Sequence, residues 1–135
     1  MSVGDERVAS IGRGLVVYVG IERSDAETDI AAFAQKLTAM RIFSDENDKM
    51  NLSVSDIGGD ILLVPNFTLC ADISHGNRPS FTGAMRPLDA SAMFDYCFNV
   101  VADLRRGSGG TVARGVFGAD MRIAQDNVGP VTIIY

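Results

Sequence analysis

The sequence predicts a single α+β domain, residues 1–135, with a curved or barrel-like mixed β-sheet of about seven strands and two amphipathic helices. Three observations lead to this prediction. The chain has 135 residues, the usual length of one domain with one hydrophobic core. Apolar residues make up 47% of it and charged residues 21%, as in globular proteins. Strand-like and helix-like segments do not alternate strictly, which favours the α+β class.

Apolar runs rich in β-branched residues mark the strands. Residues 14–21 are continuously apolar and lie between glycines, which is typical of a strand buried on both faces. Residues 60–69 are predicted to form the long central strand, and Pro65 within it indicates that one side of the strand is unpaired there. A hairpin, or a strand pair with a loop, is predicted around the acidic turn at 45–48, and three closing strands are predicted at 111–117, 121–125 and 131–135.

Two segments repeat apolar residues every three or four positions, as an amphipathic helix does. The first is predicted to start with Ser24 as N-cap, to use Glu27 in a capping box, and to run to about Met40. The second is predicted from about Ala90 to Arg106, with Asp89 as N-cap and Gly107 after its end. Residues 71–87 between the central strand and this helix are predicted to be irregular, and a loop of that length is usually functional.

Residue counts exclude several functional classes. No apolar run approaches the ~20 residues of a membrane span and no signal peptide is evident, so the expected location is the cytoplasm. Cys70 and Cys97 are expected to be free buried thiols. His75 is the only histidine and no Cys-x-x-Cys pair occurs, so neither a metal nor another cofactor is expected. The net charge of −5 indicates that an RNA partner would be held only by a short end.

The sequence offers little acid or base chemistry. His75 lies in a loop without a nucleophile at a suggestive spacing, so we expect a solvated loop residue there rather than a catalytic base. Thr68 is a candidate nucleophile, but threonine is ordinary in a strand and no base is evident beside it. If the protein is a hydrolase, its own side chains supply little acid or base.

Several motifs occur in an order that resembles the D-aminoacyl-tRNA deacylases. Residues 65–69, Pro-Asn-Phe-Thr-Leu, resemble the family's mid-chain Ser-Gln-Phe-Thr-Leu. Residues 129–132, Gly-Pro-Val-Thr, match the family's motif near the C-terminus, and residues 117–121, Phe-Gly-Ala-Asp-Met, lie upstream of it. The resemblance extends from about residue 11 to the end of the chain.

The resemblance implies a homodimeric hydrolase that cleaves the ester bond of D-aminoacyl-tRNA and so proofreads chirality. The neighbouring ribose hydroxyl of the substrate is expected to assist the attack, while the backbone N–H groups of Phe67 and Thr68 stabilise the oxyanion. Gly129-Pro130 is expected to be cis and to reach across the dimer, where its carbonyls reject the L configuration at the α-carbon. Achiral glycine would escape this rejection, so glycyl-tRNA mischarged on tRNA-Ala is a further expected substrate.

The resemblance also identifies the expected site residues. The 3′ aminoacyl end of tRNA and a second copy of the chain are the expected partners. Arg78 and Phe81 are expected to hold the terminal phosphate and base, although Phe81 could equally be a core anchor under the loop. The catalytic residues are Thr68 and Phe67, and the substrate-binding residues are Pro65, Asn66, Arg78, Ser80, Phe81, Asn127, Gly129, Pro130, Val131 and Thr132.

Two departures from the family pattern keep alternatives open. Pro65-Asn66 replaces Ser-Gln, which removes a hydroxyl and shortens the amide side chain by one methylene. The family's first strand, with Gln-Arg-Val, has no counterpart ahead of residue 11, which predicts an exposed sheet edge that a partner covers. The alternatives are an impaired homologue that binds a tRNA end or a protein without turnover, and a deacylase with relaxed chirality.

Overall fold

The computed structural model describes all 135 residues and contains two long helices and eight short strands, which confirms the predicted α+β class. The helices are α1 (Glu27–Ala39) and α2 (Pro87–Leu104). A short 3₁₀-helix spans Phe67–Cys70. The strands are β1 (Ser2–Val3), β2 (Glu6–Arg7), β3 (Gly14–Val19), β4 (Phe43–Ser44), β5 (Met50–Leu52), β6 (Asp60–Pro65), β7 (Val112–Arg114) and β8 (Met121–Arg122).

The strands form three small sheets, where the sequence predicted one curved sheet. The main sheet has the order β3-β6-β7, and both of its pairings are parallel. The second sheet is antiparallel, with the order β2-β1-β8, and includes an N-terminal hairpin that the sequence pattern did not reveal. β4 and β5 form the predicted hairpin.

The core lies between the main sheet and the two helices. Alternate β6 residues Ile61 and Leu63 are fully buried and face a cluster that both helices share. The helices supply six more members of this cluster, and Val19, Ile21 and Val54 complete it. Its helical members are Ile30, Ala34 and Leu37 of α1 and Phe94, Cys97 and Val101 of α2. Neither helix has the length and apolar character to cross a membrane.

Both helices begin at residues other than those predicted. Ser24 is not the cap of α1: the cap residue is Ala26, whose N–H donates to the Asp29 carboxylate at 2.9 Å. The residues before it form a turn in which Asp25 accepts the N–H of Glu22, so the helix cannot start earlier. α2 starts at Pro87, ahead of the predicted Asp89 cap, because the fixed φ of proline suits the first helical position.

Two predicted strand segments are not strands. Residues 66–69 leave the ladder directly after Pro65 and turn into the 3₁₀-helix. The missing N–H of Pro65 falls beyond the end of β7, since β7 pairs only with Ile61–Leu63, and this confirms that one side is unpaired there. Residues 131–135 form no ladder, although they line the same cavity as the edge strand β3.

The carboxylate of Asp60 ties the start of β6 to the two strands beside it. One oxygen accepts the N–H of Gly12, just before β3, at 2.8 Å. The other accepts the N–H and the hydroxyl of Thr111, just before β7, at 2.8 and 3.0 Å. These bonds from Thr111 and Gly12 hold the pKa of Asp60 below its ordinary value. Gly14 lies so close that a Cβ there would be 1.9 Å from the Asp60 carbonyl oxygen, so the contact requires glycine.

The Asp60→Asn variant should lower the free energy of unfolding at neutral pH by about 1–3 kcal/mol, because one amide oxygen cannot replace both carboxylate oxygens. The pKa of Asp60 is lower in the folded state than its ordinary 3.8, so its contribution is complete above that value and is lost as the pH falls through the folded value. Urea unfolding of both proteins should therefore show a difference that narrows below about pH 4. The Glu46→Gln variant, at an exposed side chain, is the control, and an equal loss there or a difference independent of pH would contradict the assignment.

Candidate functional site

The candidate site lies where β6 ends. The N–H of Asn66 makes the last bond to β3, donating to the carbonyl of Val19 at 2.8 Å. The chain then turns into the 3₁₀-helix, whose first bond joins the N–H of Leu69 to the carbonyl of Asn66 at 3.3 Å. Phe67 and Thr68 lie between these two bonds, and their side chains are exposed. The site is therefore a rigid strand end followed at once by a tight turn.

The backbone N–H groups of Phe67 and Thr68 make no hydrogen bond within the chain. They precede the first bond of a helix, where N–H groups have no intrahelical acceptor. The Thr68 hydroxyl donates to Oδ1 of Asn66 at 2.6 Å and holds the amide in place, while Nδ2 of Asn66 has no partner. Three N–H donors are thus free at one turn, which is an arrangement that can bind a developing negative charge.

Phe67 packs against Phe81 of the long loop. Their ring centroids are 5.1 Å apart and the rings meet edge to face at 73°. Both rings remain on the surface, with 55% of Phe67 and 38% of Phe81 exposed, so Phe81 is not part of the buried core cluster. Ser80 beside it exchanges two backbone bonds with Asp72, at 2.8 and 2.9 Å, which fixes the loop next to the strand end. The Phe67–Phe81 contact thus places the loop residues Ser80 and Phe81 beside the turn formed by Pro65, Asn66, Phe67 and Thr68.

Arg78 lies at the exposed part of the same loop. Its guanidinium takes part in no ion pair or hydrogen bond within the chain. It is therefore a free cation a few residues from the aromatic pair.

The loop also assembles a cluster that the sequence pattern did not identify. The Ser74 hydroxyl lies 2.6 Å from Oδ1 of Asp72 and 2.7 Å from Nδ1 of His75. In a nucleophilic triad the carboxylate contacts the imidazole, whereas here it contacts the serine. All three side chains are exposed, and the hydrogen bonds from Ser74 hold the pKa of Asp72 below its ordinary value. The arrangement is that of a loop turn rather than of an activated serine.

The C-terminal tail lies along β3 and α1 and encloses a cavity of about 740 Å³. Three predicted site residues of the tail, Asn127, Val131 and Thr132, line this cavity. Leu69 and Cys70 of the 3₁₀-helix line it from the other side. The tail thus approaches the turn that carries Phe67 and Thr68 without lying directly on them.

Gly129 and Pro130 form an exposed turn outside that cavity. Gly129 has a φ of +121°, a conformation that L side chains rarely adopt, so glycine is required at this position. The bond between the two residues is trans, since the chain contains no cis peptide bond, which differs from the cis bond implied by the resemblance. No hydrogen bond joins either residue to Phe67 or Thr68 within one chain.

The cysteines do not provide a nucleophile. Both are free thiols, as predicted, with Cys97 buried and Cys70 partly buried. Burial raises the pKa of Cys97 to about 11 and also raises the pKa of Cys70, with Glu22 and Asp25 adding to the latter. No group of three or more His, Cys, Asp or Glu side chains is placed to hold a metal ion.

Comparisons with known proteins identify the family. The family model described as D-Tyr-tRNA(Tyr) deacylase matches residues 1–135. A protein named D-aminoacyl-tRNA deacylase from Chlorobaculum parvum is 49% identical over 134 residues, which cover 99% of this chain and 88% of the relative. A protein of the same name from Thermoanaerobacter pseudethanolicus is 45% identical over 134 residues, which cover 99% of this chain and 87% of the relative.

Two solved structures have a similar fold. The first, titled "c-Myc DNA Unwinding Element Binding Protein", has a TM-score of 0.90 and 34% sequence identity, and the match covers 98% of this chain and 87% of that one. The second, a probable eukaryotic D-amino acid tRNA deacylase, has a TM-score of 0.64, 21% identity and coverage of 83% and 80%. The full-length family match and the close relatives agree, and the chain belongs to the D-Tyr-tRNA(Tyr) deacylase family.

Proposed function

We propose that this protein hydrolyses the ester bond between a D-amino acid and the 3′ end of tRNA, releasing the free amino acid and tRNA. Membership of the family supports the hydrolase activity and the substrate class. The structural observation that supports it most is the pair of free N–H groups at Phe67 and Thr68, which lie at the end of a rigid strand. The substrate meets this protein where translation takes place, in the cytoplasm.

The turn after β6 acts as the oxyanion site. When a nucleophile adds to the ester carbonyl, its oxygen gains negative charge and accepts hydrogen bonds from the N–H groups of Phe67 and Thr68. Nδ2 of Asn66, positioned through the Thr68 hydroxyl, is a third donor to the same oxygen. Donors held in place before the reaction can lower the barrier by about 3–4 kcal/mol each, which makes positioning the protein's main contribution.

The attack itself relies on the substrate. The exposed geometry of Asp72, Ser74 and His75 does not present a base to Thr68, and burial disfavours the thiolate of Cys70. The free hydroxyl of the terminal ribose is adjacent to the ester and activates or assists the attack, so the protein needs no acid or base of its own. The Phe67 and Phe81 rings and the Arg78 guanidinium then hold the terminal adenosine by stacking and by charge.

The discrimination between D and L substrates depends on a second copy of the chain. Gly129 and Pro130 project from the surface as an exposed turn, and the tail around them exposes Val128 to 85% and Ile134 to 95%. A second copy covers this apolar tail, and the turn enters the partner's site, where its backbone excludes an L side chain. Backbone exclusion acts on the α-carbon and Cβ that all residues share, so it rejects L-amino acids alike and spares glycine.

The chiral prediction is checked by measuring deacylation of D-tyrosyl-tRNA, L-tyrosyl-tRNA and glycyl-tRNA against the uncatalysed rates. Rapid loss of the D and glycyl esters with the L ester spared is expected. Accelerated hydrolysis of all three esters would support the hydrolase activity and show that its chirality is relaxed. Acceleration of none would favour a protein that binds the tRNA end without turnover.

The Thr68→Ala variant should lower kcat about tenfold and change KM less than about twofold, because the hydroxyl orients a donor that acts in the transition state. The matched control is Thr28→Ala, an exposed threonine on α1 that forms no side-chain hydrogen bond. A rise in KM alone, or an equal effect of the control, would assign Thr68 a merely structural role.

The role of the ribose is checked with an aminoacyl ester whose neighbouring ribose hydroxyl is replaced by hydrogen. We expect the protein to accelerate hydrolysis of this ester at least a hundredfold less than that of the natural one, since no protein base can substitute. Binding of the two esters, measured by competition, should be similar. Equal acceleration of both esters would show that the protein itself activates the nucleophile.

A further inference from the structure

A second cavity of about 580 Å³ lies between the first turns of α1 and α2. Its residues belong to none of the motifs that identify the family. Two arginines, Arg23 and Arg86, line it, together with the apolar surfaces of Met85, Met93 and Tyr96. The volume is within the range of ~300–1,000 Å³ that small-molecule sites occupy.

The two arginines are free cations in an acidic protein. The chain has a net charge of −5 and its two ion pairs, Arg106–Asp103 and Arg114–Asp95, lie elsewhere. Neither Arg23 nor Arg86 donates a side-chain hydrogen bond within the chain, so both guanidiniums can bind a partner without breaking an existing contact. A guanidinium is the side chain best suited to bidentate binding of phosphate.

Two carboxylates also line the cavity and balance the formal charge of the two arginines. Glu27 and Asp89 lie in the first turns of α1 and α2, and neither forms an ion pair. Carboxylates at this position interact favourably with the partial positive charge of their own helix ends. The two guanidiniums therefore lie near the positive ends of both helices and have no ion-pair partner.

The cavity is rigidly joined to the proposed adenosine site. The N–H of Arg23 donates to the carbonyl of Gly83 at 3.0 Å, and the N–H of Met85 donates to the carbonyl of Ile21 at 2.9 Å. These bonds fix the segment that leads from Phe81 to Arg86 against the end of β3. Five residues of chain span at most about 18 Å, so the cavity is within reach of the nucleotides next to the terminal one.

We propose that this cavity binds the RNA strand just upstream of the terminal adenosine, with its phosphates on Arg23 and Arg86 and a base against Met93 and Tyr96. This inference rests on the proposed function, because it takes the substrate to be a tRNA end. Aromatic and apolar surfaces stack any base, so the contact is independent of sequence. It serves any tRNA that carries the ester.

The inference is tested with the Arg23→Gln/Arg86→Gln double variant on two substrates, a D-aminoacyl-tRNA and the same amino acid esterified to adenosine alone. The tRNA substrate should lose about ten- to a hundredfold in kcat/KM, while the adenosine ester, which lacks upstream phosphates, should change less than about twofold. A plot of log kcat/KM against log salt concentration has a negative slope, and this slope should become shallower by about 1.4 in the variant. That change is about 0.7 for each phosphate of a single strand that the variant no longer neutralises. The control is Arg7→Gln/Arg106→Gln, with the same change in charge; Arg106 lies beyond the far end of α2, about 27 Å away.

A binding measurement separates failure of this inference from failure of the proposed function. The affinity for fluorescently labelled uncharged tRNA is measured by anisotropy over about 50–300 mM salt for the wild type and both variants. Weaker binding and a smaller slope in the Arg23/Arg86 variant alone would support the cavity, whether or not the wild type deacylates. Unchanged tRNA binding, or equal losses on both substrates, would overturn the inference, while absence of deacylation by the wild type would overturn only the proposed function.

Discussion

The carboxylate of Asp60 is the contact on which the main sheet depends. It binds the residues just before β3 and just before β7, so one side chain aligns both neighbours of β6 at the same end. The parallel register from Gly14↔Asp60 onward follows from that alignment. At the opposite end of β6, Pro65 cannot donate to a ladder and the strand turns away. The free N–H groups of the site thus lie a fixed distance from the point where the sheet is anchored.

The elements that the sequence predicted well are those whose patterns depend on a single core. The apolar runs of β3 and β6 and the stripes of α1 and α2 all face one buried cluster, so periodicity alone locates them. Helix starts were predicted less well, because the capping box at Ser24 competes with a local turn that Asp25 makes with Glu22. The N-terminal hairpin was missed because strands of two residues are too short to show a period.

The site was predicted from the family motifs, and the part of it within one chain did come together. Phe67 meets Phe81 because the loop after β6 returns to its start through the Asp72 and Ser80 bridge. Gly129 and Pro130 do not join them, and residues 131–135 form no strand. A β-branched run has a strong preference for a strand but no means of choosing its neighbour, so its structure cannot be deduced from one chain's sequence. No sequence pattern predicted the cavity lined by Arg23 and Arg86, since the two residues are distant in sequence and belong to no motif.

The parallel order of the main sheet has a consequence for synthesis of the chain. Each pairing in it joins strands about fifty residues apart, such as Gly14 with Asp60 and Ile61 with Val112. Contacts of this separation form slowly, because a long segment must close before any ladder is gained. While the nascent chain is growing, β3 has no strand to pair with until β6 emerges. β6 then has one unpaired edge until β7 emerges. The turn that carries Phe67 and Thr68 lies immediately after β6, so its free N–H groups become rigid only when most of the chain has left the ribosome.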